Sequence, residues 1–220
     1  MKVIISGYGK MGHMVEEKLK ARGVELAAAS EDVCSIDPAL AKECVCIDFT
    51  APDAFRANYP FIAAHFKAAV IGTTGWYDIK DNVFAEFRKH GTTLIWSANF
   101  SIGVNALFAA VERASAILKD HGYTPHITEI HHIHKLDAPS GTAKILGEIV
   151  CTALGPNPQI ESIREGEVPG THIVEFVSSC DKLTFTHEAF SREGFAEGAV
   201  AAAILSEGVT GVHEFKELIL

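Results

Sequence analysis

Apolar residues follow two rhythms over the first hundred positions of the chain. Short, nearly unbroken apolar runs at Val3–Ser6, Val24–Ser30, Cys44–Phe49, Ala68–Ile71 and Thr92–Ser97 read as strands. Met11–Arg22, Asp53–Phe66 and Asp81–Lys89 have helical spacing, and Gly23, Gly72, Gly75 and Gly91 punctuate the turns. Strands separated by helices of this length predict crossover units on a parallel sheet.

After about residue 101 the rhythm changes. Val104, Leu107, Phe108, Val111, Ala114 and Leu118 keep the helical period, so Val104–Leu118 is predicted to be an amphipathic helix ending before Gly122. Ile127–His132 is predicted extended, and Ala143–Ala153 helical. Ile173–Val177 and Leu183–His187 read as strands, the second alternating Leu183, Phe185 and His187 with Thr184 and Thr186. Gly155–Pro158 and Ser162–Gly170 read as loops, and Glu197–Leu205 as an Ala-rich helix. The expected fold class is α/β, a dinucleotide-type (Rossmann-type) domain followed by a smaller α+β domain.

Composition narrows the class without naming a function. With 220 residues, 48% of them hydrophobic and 21% charged, the chain is long enough for a real core and too apolar to be disordered. Its 19 basic and 28 acidic residues give a formal net charge of −9, which argues against a nucleic-acid partner. The longest apolar run, Ala199–Leu205, falls far short of the roughly 20 residues of a membrane helix, so no membrane partner is expected. The first residues enter a strand pattern with no signal-peptide layout. Cys34, Cys44, Cys46, Cys151 and Cys180 form no CxxC pair and suit a reducing compartment, so a cytoplasmic protein is expected.

The first candidate chemistry is Gly7-Tyr8-Gly9-Lys10-Met11-Gly12, a GxGxxG set between a predicted strand and a predicted helix. Gly7 would allow the tight turn, Gly9 the approach of backbone to a pyrophosphate, and Gly12 close helix–strand packing. The helix N-terminus then faces the anion. The pattern also asks for an acid about 20 residues on, and Glu31 stands directly after Val24–Ser30, where it could take both ribose hydroxyls. Asp32 beside it would repel a 2′-phosphate, and no Arg or Lys occurs between Gly23 and Lys42. NADH is therefore the expected cofactor, with NADPH weaker. Gly72-Thr73-Thr74-Gly75 and Ser97-Ala98-Asn99-Phe100 follow the fourth and fifth strands. Ligands of open parallel sheets bind beyond those carboxyl ends, so these segments could contact ribose and nicotinamide or merely punctuate the chain.

The densest chemistry lies in Glu129–Ala143, where His131, His132 and His134 stand beside Lys135. A zinc site would need ligands from distant cysteines or acids with no partner spacing, so no metal is expected. Pro139 cannot continue a helix from before it, and Ser140-Gly141-Thr142 leads into the helical run from Ala143. Free N–H groups and hydroxyls at such an N-terminus suit a carboxylate or phosphate. A histidine, with an unperturbed pKa near 6.5, could be a general acid there at neutral pH. The residues alone describe a nicotinamide-dependent reductase of a small carboxylate.

The strand–GYGKMG turn, Ile47-Asp48-Phe49-Thr50, Gly72–Gly75, the run Ser97–Asn105 and above all Glu129–Ala143 (EIHHIHKLDAPSGTA) resemble the dihydrodipicolinate reductase (4-hydroxy-tetrahydrodipicolinate reductase) family of bacterial lysine and diaminopimelate synthesis. Ser191-Arg192, Phe195-Ala196 and Gly198-Ala199 match as well, so the resemblance covers essentially the whole chain. It implies hydride transfer from NAD(P)H to a cyclic imine dicarboxylate, giving tetrahydrodipicolinate with loss of water. It implies His131 as catalytic proton donor or acceptor, Lys135 as catalytic lysine, and His132, Ser140, Gly141 and Thr142 as binders of the substrate carboxylates. Cofactor contacts fall on Gly7, Tyr8, Gly9, Lys10, Met11, Gly12, Glu31, Gly72, Thr73, Thr74, Ser97, Ala98, Asn99 and Phe100. A homotetramer is implied, built through sheets of a substrate and tetramerisation domain over residues 101–190, with 191–220 returning to the dinucleotide domain, 1–100. His134 is expected to make a structural hydrogen bond and to have no chemical role.

The sequence departs from the family in its glycine turn, one residue shorter than in many relatives, and in Lys10, where they have Arg. Asp32 stands where many carry a basic residue, and the segment Asp32–Glu43 is short. Two rival readings are a related reductase or amino-acid dehydrogenase of another dicarboxylate, and a non-catalytic dinucleotide sensor. His131 and Lys135 together speak against the sensor, which has no need of proton donors.

Overall fold

The computed structural model describes residues 1–155 and 157–220; Pro156, within the expected loop Gly155–Pro158, lies outside the described residues. The chain forms two compact units, Met1–Ser101 with Phe195–Leu220, and Ile102–Gly194.

The first unit begins with β1 (Lys2–Ser6), α1 (Lys10–Ala21), β2 (Glu25–Ser30), α2 (Pro38–Ala41) and β3 (Cys44–Asp48). It continues with α3 (Pro52–His65), β4 (Ala68–Ile71), α4 (Lys80–His90) and β5 (Thr93–Trp96). The six strands of its sheet, completed by the later β10 (Val212–Glu214), run in the order β10-β5-β4-β3-β1-β2, every neighbouring pair parallel. Val3, Ile5, Val45, Ile47, Val70 and Ile95 face one core, whereas Ile4, Cys44, Cys46, Ala69, Ile71 and Leu94 face the other. Both faces are covered, which is why these strands read as unbroken apolar runs rather than alternations. α4 ends on Gly91 at φ 71°, the left-handed conformation of a C-terminal glycine.

The C-terminal residues complete this unit. The α7 helix (Glu193–Leu205) places Gly198 so tightly against the backbone of Phe100 that a Cβ there would stand 1.7 Å from the Phe100 carbonyl oxygen. Phe215, fully buried at the start of α8 (Phe215–Ile219), stacks on Phe100 at 5.0 Å. Burying one such ring contributes about 1.5–3 kcal/mol.

The second unit contains α5 (Ile102–Leu118), β6 (Thr124–His131), α6 (Gly141–Leu154), β7 (Gln159–Arg164), β8 (Thr171–Val177) and β9 (Lys182–Glu188). Its mixed sheet has the order β7-β6-β8-β9. β6 and β7 are parallel with α6 as their crossover, and the other pairs are antiparallel. Leu107 and Val111 of α5 and Leu146 and Val150 of α6 pack with Ile127, Val174 and Phe176 of the sheet.

Three elements differ from the pattern expected above. The segment Ser162–Gly170, expected as loop, begins inside β7. Only Ile160 brings an aliphatic side chain of β7 to the core, while Ser162 and Arg164 pair with Glu129 and His131, so no apolar alternation marks the strand. β10 and α2 are too short and mixed to leave a periodic signal. Among the described residues no helix is long and apolar enough to cross a membrane.

Candidate active site

In the first unit the glycine turn joins β1 to α1. Gly7 has φ 85°, and a Cβ there would stand 2.7 Å from the Phe49 carbonyl oxygen. A Cβ at Gly12 would stand 2.5 Å from the Gly7 carbonyl oxygen, so α1 can begin against the turn only with glycine. Gly9 differs: a Cβ there would meet nothing within 4 Å, and as N-cap of α1 it puts no side chain over the first-turn N–H groups. Glu31 at the end of β2 accepts a hydrogen bond from Tyr8 N–H at 2.9 Å. An open helix N-terminus with an acid beside it fits a dinucleotide's pyrophosphate and ribose. Lys10 is exposed and Met11 half-buried on the first turn of α1, and the Tyr8 hydroxyl bonds to Glu16. Asp32 caps a 3-10 turn, its Oδ1 accepting from Cys34 N–H at 3.1 Å.

A buried carboxylate ties the strand ends together. Asp48, fully buried, receives hydrogen bonds from Ser6 Oγ (2.7 Å), Thr50 Oγ1 (3.0 Å) and Thr73 Oγ1 (2.5 Å). Burial pushes its carboxyl up, against the opposing pull of those three hydroxyls. Thr73 also accepts from Thr50 N–H at 2.7 Å, and its carbonyl accepts from Trp76 Nε1 at 2.7 Å. The Thr73 side chain is thus committed to the fold, while Thr74 beside it is exposed and Gly72 packs against the Phe49 ring. Ser97 and Asn99 form a self-bonded turn after β5: Ser97 Oγ donates to the Asn99 carbonyl at 2.8 Å, and Asn99 Oδ1 accepts from Ser101 N–H at 2.8 Å. Ala98 is exposed on that turn and Phe100 is buried behind it.

In the second unit the end of β6 gathers a polar cluster on the core face of the sheet. Alternation along the strand puts Glu129 and His131 on the same side. Register sets Arg164 of β7 beside His131 and His172 of β8 beside Glu129, with His187 of β9 opposite His172. Glu129 is fully buried; its Oε1 accepts from Arg164 Nη2 at 2.9 Å, and its Oε2 lies against His131 Nδ1. Burial would raise the Glu129 carboxyl, but hydrogen bonds from Arg164 and Ser162 and the charge of His131 hold it below the usual carboxylate range. Burial lowers His131, Glu129 opposes that, and Lys135 and Arg164 lower it further. His172, pushed down to about 4 by burial and by neighbouring His131, is a neutral imidazole at physiological pH.

The chain beyond His131 folds back to form the entrance of α6. Lys135 donates to Asp137 Oδ1 at 2.7 Å, and that bond holds Asp137 below the usual carboxylate range. Ser140 is buried as the N-cap of α6: its Oγ accepts from Ala143 N–H at 3.2 Å and lies 3.1 Å from His172 Nε2. Gly141 is exposed with open space beside it, and Thr142 follows on the first turn. His132 is half-buried, its backbone N–H bonded to the Val168 carbonyl at 2.8 Å. His134 lies on the surface, its Nε2 3.1 Å from Glu167 Oε1.

Sequence reasoning assigned no part to Glu129, Arg164 or His172. The two-residue step from Glu129 to His131 was a usable signal; the register that brings in Arg164 and His172 was not. Glu129, His131 and His172 offer ligand atoms within 4.8 Å of one another, a spacing that admits a cation. The positive charges of Arg164 and Lys135, both near enough to lower His131, oppose one there.

Residues 1–100 match the sequence family described as "Dihydrodipicolinate reductase, N-terminus", and residues 103–219 match "Dihydrodipicolinate reductase, C-terminus". A 4-hydroxy-tetrahydrodipicolinate reductase of Christiangramia forsetii is 35% identical, the match covering 100% of this chain and 98% of the relative. One of Ralstonia nicotianae is 34% identical, covering 100% and 99%. Among solved structures, the dipicolinate-bound dihydrodipicolinate reductase of Paenisporosarcina sp. TG-14 has the same fold, with TM-score 0.83, 20% identity, and coverage of 100% and 99%.

Proposed function

The chain belongs to the dihydrodipicolinate reductase family, and from that premise we propose that it reduces 4-hydroxy-tetrahydrodipicolinate, a cyclic imine dicarboxylate, to tetrahydrodipicolinate with loss of water. The observation that carries this reading is the whole-chain family match. A nicotinamide dinucleotide, when bound, supplies the hydride. Gly7–Gly12 and Glu31 would hold its pyrophosphate and ribose, with Gly72–Thr74 and Ser97–Phe100 as further contacts through backbone and exposed side chains. Glu31 and Asp32, with no Arg or Lys between Gly23 and Lys42, favour NADH over NADPH.

In the second unit, Gly141, Thr142 and His132 bind the substrate carboxylates at the N-terminus of α6. The sequence expectation that Ser140 joins them is corrected, because its hydroxyl caps the helix and bonds His172 and its N–H goes to Glu129. Lys135 adds a positive charge and a proton, and His131 gives or takes the proton at the ring. The free cysteines Cys34, Cys44, Cys46, Cys151 and Cys180 support a cytoplasmic setting. A homotetramer through the mixed sheet is supported by Ile130, Ile163, Ile173 and Val177, half-buried on the face opposite Ile127 and Val174.

NADH oxidation should occur with the substrate made in situ by an aldolase from pyruvate and aspartate semialdehyde. Absence of turnover at millimolar substrate, with either NADH or NADPH, would remove the reading. Light scattering at working concentration tests the tetramer.

A further inference from the structure

The proposed catalytic histidine is held from two sides, and neither holder is a group that touches substrate in the reading above. On one side His131 Nδ1 lies against Glu129 Oε2. The other oxygen of Glu129 is fixed by Arg164 at 2.9 Å and by the Ser140 N–H at 3.4 Å, so the carboxylate cannot turn away without breaking both. On the other side is Gly170, the residue before β8. A Cβ on Gly170 would stand 3.0 Å from His131 Nε2 and 3.2 Å from its Cδ2, so glycine keeps the space beside Nε2 open.

We propose that Glu129 is a positioning residue that fixes His131 with Nδ1–H donating to Oε2 and Nε2 facing the space that Gly170 leaves open, so that Nε2 is the nitrogen that exchanges the proton. This rests on His131 being the proton donor or acceptor of the proposed reaction. A neutral imidazole has one protonated nitrogen, and the partner of that nitrogen selects the tautomer. The carboxylate accepts from Nδ1 in both protonation states and stabilises the imidazolium whenever Nε2 takes a proton. Arg164 keeps Glu129 ionised as that charge comes and goes. Arg164 thus acts on Glu129, and Glu129 on His131.

The charged and titratable groups around His131 come from each neighbouring strand. They are Glu129 on β6, Lys135 just after it, Arg164 on β7 and His172 on β8, with His187 of β9 against His172. Glu129 is the member of this set that raises the proton affinity of His131. Removing its charge therefore lowers that affinity, and a rate that needs protonated His131 then declines at lower pH.

The test uses the full-length enzyme with 15N-labelled histidine. In wild type the neutral His131 ring should show the Nδ1–H tautomer by NMR. Glu129→Gln should move the basic limb of kcat/KM to lower pH and reduce kcat about 10–100-fold, the usual size of an orienting partner's effect. Glu129→Asp, which keeps the charge, should return the limb towards its wild-type position. Gly170→Ala should reduce kcat without moving the limb, since it crowds Nε2 and leaves Nδ1 alone, and should also cost stability, because φ 154° strains any side chain there. An Nε2–H tautomer in wild type, or a pH limb that is the same in wild type and Glu129→Gln, would overturn the proposal. If the wild-type tautomer and the limb shift are as stated while His131→Gln keeps full turnover, the orientation stands and the catalytic assignment of His131 fails instead.

Discussion

The two units of this chain build their proposed sites by opposite means. At the glycine turn of the first unit the preparation is removal: Gly7 and Gly12 take away side chains that would strike backbone, so that the turn closes, and Gly9 leaves the first-turn N–H groups of α1 uncovered. At the end of β6 in the second unit the preparation is addition: Glu129, His172 and Ser140 are buried, and Arg164 half-buried, around His131. The first device depends on shape and is nearly indifferent to charge. The second depends on charge, because each polar group there has left water and needs its partner.

The largest effect should follow from removing the centre of the charged device. His131→Gln should lower kcat by about 10²–10⁴-fold, the usual contribution of a general acid or base, and should cost some stability, because it takes the imidazole from the buried Glu129 Oε2. Steady-state kinetics and a urea midpoint on the same preparation check both halves. An unchanged kcat would move the proton-transfer role to Lys135 or to solvent.

The shape device should break differently at two glycines of one motif. Gly12→Ala forces a methyl 2.5 Å from the Gly7 carbonyl oxygen, so it should cost stability by about 1–3 kcal/mol as well as cofactor affinity. Gly9→Ala meets nothing within 4 Å and should leave stability within about 0.5 kcal/mol while raising the KM for NADH. Equal losses of stability in the two variants would mean that the turn is simply a tight bend, with no space kept for a ligand.

The charged device also carries a pH signature. His172 has its affinity for a proton lowered to about 4 in the folded protein, against an ordinary value of 6.5. Below pH 6.5 the unfolded chain takes up a proton that the folded chain refuses, so stability falls as pH drops. The loss should reach about 2 kcal/mol by pH 5. Urea midpoints at pH 7 and pH 5 should differ less in His172→Gln than in wild type. Parallel losses in the two proteins would show that His172 is not the group responsible.

The contrast also explains what could be read from the sequence. The glycine turn was legible because its requirements are set within the turn and the adjoining strand end: Gly12 answers to the Gly7 carbonyl, Gly7 to the Phe49 carbonyl, and Gly9 to open space. The parallel sheet was legible because burial on both faces leaves unbroken apolar runs. His131, Lys135 and Ser140–Thr142 stand in one contiguous segment and could be found together. Arg164 and His172 could not, because register brings them in from two other strands, and β7 hides its own alternation by turning Ser162 and Arg164 inward. Asp48 was visible as part of a motif, but its partners Ser6 and Thr73 are joined to it only across β1 and β4.

The smallest effect lies at the adenosine end, where charge acts outside the shape device. Asp32 is exposed, and its Oδ1 accepts from Cys34 N–H, a bond that asparagine can also accept. Asp32→Asn therefore removes a charge while keeping the turn. At an exposed site two unit charges about 4 Å apart interact by roughly 1 kcal/mol, so the KM for NADPH should fall by about fivefold. The KM for NADH, which has no 2′-phosphate to be repelled, should hardly move. Salt provides the control, because the screening length falls from about 10 Å at 0.1 M to about 3 Å at 1 M, below the separation of these exposed charges. Raising the ionic strength should narrow the wild-type preference towards that of Asp32→Asn and leave the variant's own ratio almost constant. A preference that survives both the substitution and the salt would have to come from the shape of the pocket around Glu31, and discrimination at this end would then belong with the glycines instead of the charges.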